Sequence, residues 1–203
     1  QVVLGSLALV TMVVGNLSAL AQGNLRRILS FSSIAQTGYM LAALSTLSAA
    51  GLVAVVFTIW NHGLLKSNFF MLIGKENSSA ESSDLDNLRG LGRRNRGLGF
   101  LLASSSVAMM GAPPFGMFWS EILVVQALLA ASGTFFYVLA AAVLLSIVLS
   151  IGYYFRIINT VVFGEPRDPA PVHRGGELAV PVLLISLSLA TGIFPFLILG
   201  GVI

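Results

Sequence analysis

The chain has 203 residues, of which 56% are hydrophobic and only 9% charged, with a formal net charge of +3. A soluble domain carries roughly a quarter charged residues, so a water-facing globule is excluded, and the few basic residues leave no nucleic-acid footprint. There is no cysteine, and the two histidines, His62 and His173, stand far apart. Disulfides, thiolate clusters and a protein-built metal cage are therefore excluded from the expectations.

Long apolar runs recur along the whole length and predict an all-α polytopic membrane protein with six spans. The sequence opens inside such a run, at Gln1-Val2-Val3, with no initiator methionine or signal pattern, and reads as a piece cut from a longer protein. Span A covers about residues 1–21, B about 28–48 and C about 51–74. Span D covers about 98–131, E about 134–163 and F about 178–201. Each reaches the roughly 20 residues a bilayer crossing needs.

Polar loops run from Gln22 to Arg27, from Lys75 to Gly97 and from Gly164 to Glu177. They carry Arg26, Arg27, Lys75, Arg89, Arg93, Arg94, Arg96, Arg167 and Arg174, nine of the eleven basic residues. With six single spans all three loops share one face, and the other face has no Lys or Arg. The positive-inside bias makes those loops cytoplasmic. The third loop divides the chain into spans A to E over 1–163 and a cytoplasmic loop with the final span over 164–203.

Span C holds Thr58, His62 and Lys66 at i, i+4 and i+8, one polar stripe on a helix face. Asn61 flanks it. Lys66 stands eight residues from the predicted helix end, about 12 Å at the helical rise, too far for snorkelling. A charge at that depth faces the interior or a water path. A neighbouring imidazole and amine exchange protons through water, since both titrate. Span B contributes Ser30, Ser32, Ser33, Gln36, Thr37 and Tyr39, which serve either to hydrate such a path or as interhelical hydrogen bonds.

Span D contains Gly111-Ala112-Pro113-Pro114-Phe115-Gly116. Two prolines in a row remove two backbone donors and clash with the preceding turn, so D is expected to break in mid-membrane. Reading the two pieces as separate spans leaves the first too short and flips the parity of Arg167 and Arg174. The freed carbonyls need protein or water partners, so the break is expected to face a polar cavity. Glu121, just after the break, is the only acid outside the loops. It is either a second titrating group or one half of a structural ion pair, and both readings stand. Arg156, after Tyr153-Tyr154-Phe155, is expected first to anchor at the cytoplasmic surface with the tyrosines in an interface belt, and second to form an exit of a proton path. His173 reads as a solvated loop residue.

Taken together, Gly15-Asn16-Leu17-Ser18-Ala19-Leu20, the stretch from Asn24 to Tyr39, Asn61-His62-Gly63-Leu64-Leu65-Lys66 with Phe69-Phe70 and Gly74, and Gly111 to Glu121 carry a resemblance. They resemble the proton-translocating antiporter-like subunits of respiratory complex I, multisubunit Na⁺/H⁺ antiporters and membrane-bound hydrogenases. The Pro-Pro-Phe-Gly and Ser-Glu wording is most similar to the hydrogenase-4 type, with the complex I chain 4 type next. The resemblance covers nearly the whole chain in order. It implies the last six of fourteen helices, with A to E as the second of two inverted five-helix repeats.

It further implies a proton relay of Lys66, His62 and Glu121, lined by Thr58, Asn61, Ser33, Gln36 and Tyr39, beside a helix broken at Gly111, Pro113, Pro114 and Gly116. The family often has Lys where Arg26 stands, and arginine hardly releases its proton, so Arg26 is read as an anchor. Some members carry a second His where Thr58 stands. No cofactor is expected in this chain, since redox centres belong to partner subunits. The expected partners are other membrane subunits of a respiratory or hydrogenase complex, the lipid bilayer and protons, with no nucleic acid. The expected location is a prokaryotic cell membrane. The alternatives are a Na⁺/H⁺ antiporter subunit, in which Na⁺ is also carried, and a non-conducting structural subunit.

Overall fold

A computed structural model of the chain describes residues 1–76, 83–165 and 178–196. Among these the secondary structure is helical. Helix α1 spans Val2–Ala21, α2 Leu25–Ser45 and α3 Ala49–Glu76. A short α4 (Leu91–Arg94) leads into α5 (Arg96–Met109), followed by α6 (Gly116–Ala130), α7 (Thr134–Ile158) and α8 (Ala179–Ile193). His173, Arg167 and Arg174 lie outside the described residues.

Among the described residues three helical stretches are long and apolar enough to cross a membrane: Val2–Ala21, Ala49–Gly74 and Thr134–Phe163. Helices α6 and α8 are apolar but only 15 residues each. Helix α2 has the length, at 21 residues, but Arg26, Arg27, Ser30, Ser32, Ser33, Gln36 and Thr37 dilute its hydropathy.

Helix α2 starts three residues before the expected position. The Asn24 side chain accepts from the backbone N–H groups of Arg26 and Arg27, an N-cap that satisfies two of the four orphan donors of a helix start. Arg26 and Arg27 are therefore first-turn helix residues and not loop residues. The loop before α4 folds back on this cap. Asn24 donates to Asp84 at 2.7 Å, and the Leu85 amide donates to the Gly23 carbonyl at 2.9 Å. Leu85, Leu88 and Leu91 are buried by this arrangement.

Span D resolves into two helices, α5 and α6, with turns between. The end of α5 meets its own carbonyls: Met110 N donates to Ser106, Gly111 N to Ala108 and Ala112 N to Val107. Phe115 N then bonds the Ala112 carbonyl at 3.2 Å. Local turns thus occupy the carbonyls of Ser106, Val107, Ala108 and Ala112, and Pro113 and Pro114 themselves are exposed. Helix α8 clamps the restart. Trp119 Nε1 donates to the Gly192 carbonyl at 2.8 Å, and a Cβ on Gly192 would strike the Pro114 carbonyl.

Helices α1 and α2 approach most closely where both are small. A Cβ built on Gly15 would lie 2.5 Å from the Ala35 amide nitrogen, and one on Gly38 2.7 Å from that of Met12. Small residues let membrane helices gain van der Waals contact that lipid cannot replace.

The core divides in two. One cluster joins Leu25, Ile28 and Leu29 of α2 with Leu65, Phe69 and Leu72 of α3, the leucines of the 83–91 segment, and Tyr154 and Ile157 of α7. The other joins Ala8 and Met12 of α1 with Tyr39 and Ala42 of α2, Ala54 and Phe57 of α3, Val124 and Leu128 of α6, and Leu139 and Val143 of α7.

Candidate functional site

Between the two clusters each long helix changes character for about two turns. Asn16 on α1 falls between Met12 and Ala19, and Ser32 and Gln36 on α2 fall between Leu29 and Tyr39. Thr58 and Asn61 on α3 fall between Phe57 and Leu65, with Lys66 next. Ser120 and Glu121 on α6 separate Met117 from Leu123, while Ser146 and Ser150 on α7 separate Val143 from Tyr153. All of these polar residues are buried. Helices placing their polar turns at matching heights produce one polar layer across the bundle, enclosed above and below by apolar side chains.

Lys66 is 7% exposed. Its Nζ donates to the Leu29 carbonyl at 2.7 Å and to the Ser32 hydroxyl. Both acceptors are neutral, and they occupy two of the amine's N–H groups. The side chain reaches across to α2, so the snorkelling reading does not describe it. One turn away, His62 is half-buried; its Nδ1 is buried without a hydrogen-bond partner, and the ring lies within electrostatic range of Lys66. The rest of the stripe is bonded differently. The Thr58 hydroxyl donates to the Ala54 carbonyl of its own helix at 2.7 Å. Asn61 donates to the Phe57 carbonyl and accepts from Thr191 of α8 at 2.7 Å, which ties α3 to the last helix.

Glu121 is 7% exposed, and its Oε1 is buried without a hydrogen-bond partner. The carboxylate lies against the backbone of Gly111, where a Cβ would collide with Oε2. Gly111 also has φ +71°, a conformation natural to glycine, so the break and the acid form one unit. Gly116 is equally confined, against Asn61 and Thr191. Of the lining residues on α2, Ser33 is half-buried and donates to the Leu29 carbonyl at 3.0 Å. Gln36 is buried with a free Oε1, and the Tyr39 hydroxyl faces Asn16 without a bond of good geometry. Buried polar atoms without protein partners need water, and among the described residues five of them (on Asn16, Gln36, Tyr39, His62 and Glu121) sit in this layer.

One expectation is corrected here. Tyr153 and Tyr154 form no interface belt: both are buried, with ring centroids 4.7 Å apart, and Tyr154 lies 6.2 Å from Phe69. Their hydroxyls donate to Asn16 at 3.2 Å and to Ser32 at 3.1 Å respectively. A Tyr-Tyr pair before an Arg reads equally as a belt or as a buried pair, so the sequence held no signal for this. Arg156 reaches the end of α1 and the loop after it. It donates to the carbonyls of Leu20 and Gln22, capping the C-terminus of α1 with a cation where the helix dipole favours one.

Residues 1–150 match a family described as NADH:quinone oxidoreductase/Mrp antiporter, transmembrane. The chain belongs to this family. A relative from Sorangium cellulosum, named NADH-quinone oxidoreductase subunit N 2, is 38% identical over 197 residues, covering 92% of this chain. One from Thiobacillus denitrificans, NADH-quinone oxidoreductase subunit N, is 33% identical over 191 residues, covering 93%. The chain spans 38% and 39% of those relatives' own length.

Among solved structures, a chain of the archaeal membrane-bound sulfane sulfur reductase superposes with TM-score 0.86 at 32% identity, covering 98% of this chain and 40% of that one. A chain of Thermus thermophilus respiratory complex I gives 0.84 at 30%, covering 98% and 44%. A chain of the Mrp complex from Dietzia gives 0.84 at 23%, covering 97% and 45%, and shares the fold. The chain is thus a helical, integral membrane member of the antiporter-like family, and its relatives work inside multi-subunit membrane complexes.

Proposed function

We propose that this chain is part of a proton-translocating membrane subunit of an NADH:quinone oxidoreductase. The observation that carries the reading is the enclosed polar layer, with Lys66 and Glu121 both buried in it and, among the described residues, neither bonded to an opposite charge. A structural ion pair would bring cation and acid together; here the amine sits on neutral acceptors and the acid on a glycine. Lys66 is the central relay, His62 its neighbour and Glu121 the group toward the external side, with water joining them at the unpartnered polar atoms. Ser33, Gln36 and Tyr39 line the path, whereas Thr58 and Asn61 border it through their own hydrogen bonds.

A charge change on a neighbouring group moves the proton by Coulomb coupling in a site of low dielectric. The redox centres belong to partner subunits. Relatives at 38% and 33% identity that are named oxidoreductase subunits favour this reading over an antiporter. Reconstituted vesicles holding the complete complex should acidify on NADH addition in Na⁺-free buffer. No acidification, or a strict need for Na⁺, would remove the reading.

Six crossings accompany it: α1, α2, α3, the α5–α6 pair, α7 and α8. Helices α5 and α6 have 14 and 15 residues and cross only as a pair. α1 to α7 then form the second of two inverted repeats, and the Arg-bearing loops face the cytoplasm of a prokaryotic cell. A cysteine at Ser132 should react with an impermeant maleimide from outside, and one at Asp86 should react only after permeabilisation. The reverse pattern inverts the orientation.

A further inference from the structure

We propose that Tyr154 is a positioning residue for Lys66, acting through the Ser32 hydroxyl that the two share. The inference rests on the relay reading above and extends it to a helix that contributes no charge to the relay.

Ser32 has one hydroxyl proton and two lone pairs. The proton goes to the Leu29 carbonyl at 2.9 Å. The lone pairs accept from Lys66 Nζ and from the Tyr154 hydroxyl. Every hydrogen-bonding position of this serine is therefore filled, and its orientation is set by three helices at once. Lys66 donates its other bond to the same Leu29 carbonyl. Without Tyr154, Ser32 keeps its bond to Leu29 but gains an open lone pair that a second amine proton or a water can take. The geometry at Nζ is then no longer fixed.

The tyrosine's hydroxyl makes no sense as packing. Tyr154 is fully buried among Leu29, Phe69 and Ile157, where a phenylalanine ring fills the same space and buries no polar atom. A buried hydroxyl costs free energy unless it is bonded, and the bond it makes is to the serine that holds the amine. The titratable groups facing this cluster are His62 and Lys66 from α3, Tyr39 from α2, Glu121 from α6 and Tyr153 beside it on α7. Glu121 lies within electrostatic range of all three tyrosines.

The test uses vesicles carrying the complete complex, measuring NADH-driven proton pumping against pH together with NADH oxidation. Tyr154→Phe should lower pumping about fivefold, the factor carried by one hydrogen bond of ordinary net strength, and should shift the pH at which pumping is half-maximal. Ser32→Ala should do the same in the same direction. The double variant should be no worse than Ser32→Ala alone, because Tyr154 acts through that serine. Phe69→Leu, which removes the ring contact but no hydrogen bond, should leave the pH midpoint in place.

Parental pumping and pH profile in Tyr154→Phe overturn the inference, as do losses that multiply in the double variant. Failure of the Tyr154→Phe complex to assemble also overturns it, since the hydroxyl then serves folding. If Lys66→Ala is impaired while Tyr154→Phe is not, this inference alone falls. If Lys66→Ala pumps like the parent, the relay reading beneath it falls too.

Discussion

Lys66→Ala should reduce proton pumping by about tenfold or more while the complex still assembles, since a positioned titratable group contributes at least that factor to proton transfer. The amine is bonded to one carbonyl and one hydroxyl, and both acceptors retain a further partner without it: Leu29 still accepts from Ser33 and Ser32, and Ser32 still accepts from Tyr154. No opposite charge is orphaned by the substitution, so the large penalty of breaking a buried ion pair does not arise. Lys66→Arg keeps a cation and donors but scarcely releases a proton. It should pump as poorly as the alanine variant, which separates titration from mere charge. Proton-to-electron ratio in vesicles, with complex content quantified by native gel, is the measurement. A parental ratio in Lys66→Ala removes the residue from the mechanism.

Glu121→Gln should lower pumping to a similar degree. Glutamine keeps the length of the side chain and both polar positions but cannot titrate. The carboxylate is seated against Gly111, and the amide fits the same seat, so assembly should be retained. Glu121→Asp retracts the carboxylate by one methylene from Gly111 while keeping its chemistry, and a fraction of pumping should survive. Equal loss in Gln and Asp variants would point to shape and not to proton exchange. Pumping at the parental level in Glu121→Gln would leave the acid a structural partner of the glycine turn.

Much of this architecture is legible in the residues alone. Apolar run length places the start of each expected span within three residues of a helix start, because a long apolar segment forms its backbone hydrogen bonds internally. Pro113-Pro114 forces a break wherever the chain folds, since the lost donors and ring clashes are local properties. Lys66 and Glu121 mark the interior because a charge in hydrocarbon is costly regardless of its neighbours. The start of α2 was also written in the sequence, in Asn24 ahead of Leu25; the apolar criterion passed over it because Arg26 and Arg27 follow immediately.

What a linear sequence leaves open is which helices face one another and at what height. Asn16, Ser32 and Tyr154 lie on three helices, and nothing in their spacing says that they share one level or that Ser32 binds both Tyr154 and Lys66. Polar groups in hydrocarbon bond to whatever partner packing provides, so their pairing is a property of helix register and rotation. The same holds for Arg156, whose surface-anchor reading and α1-capping geometry are equally compatible with its sequence neighbours. The composition establishes that charges are buried and that a helix breaks; the close approach of α1 to α2 at Gly15 and Gly38, and the clamp of α8 on the break, bring the polar turns to one level.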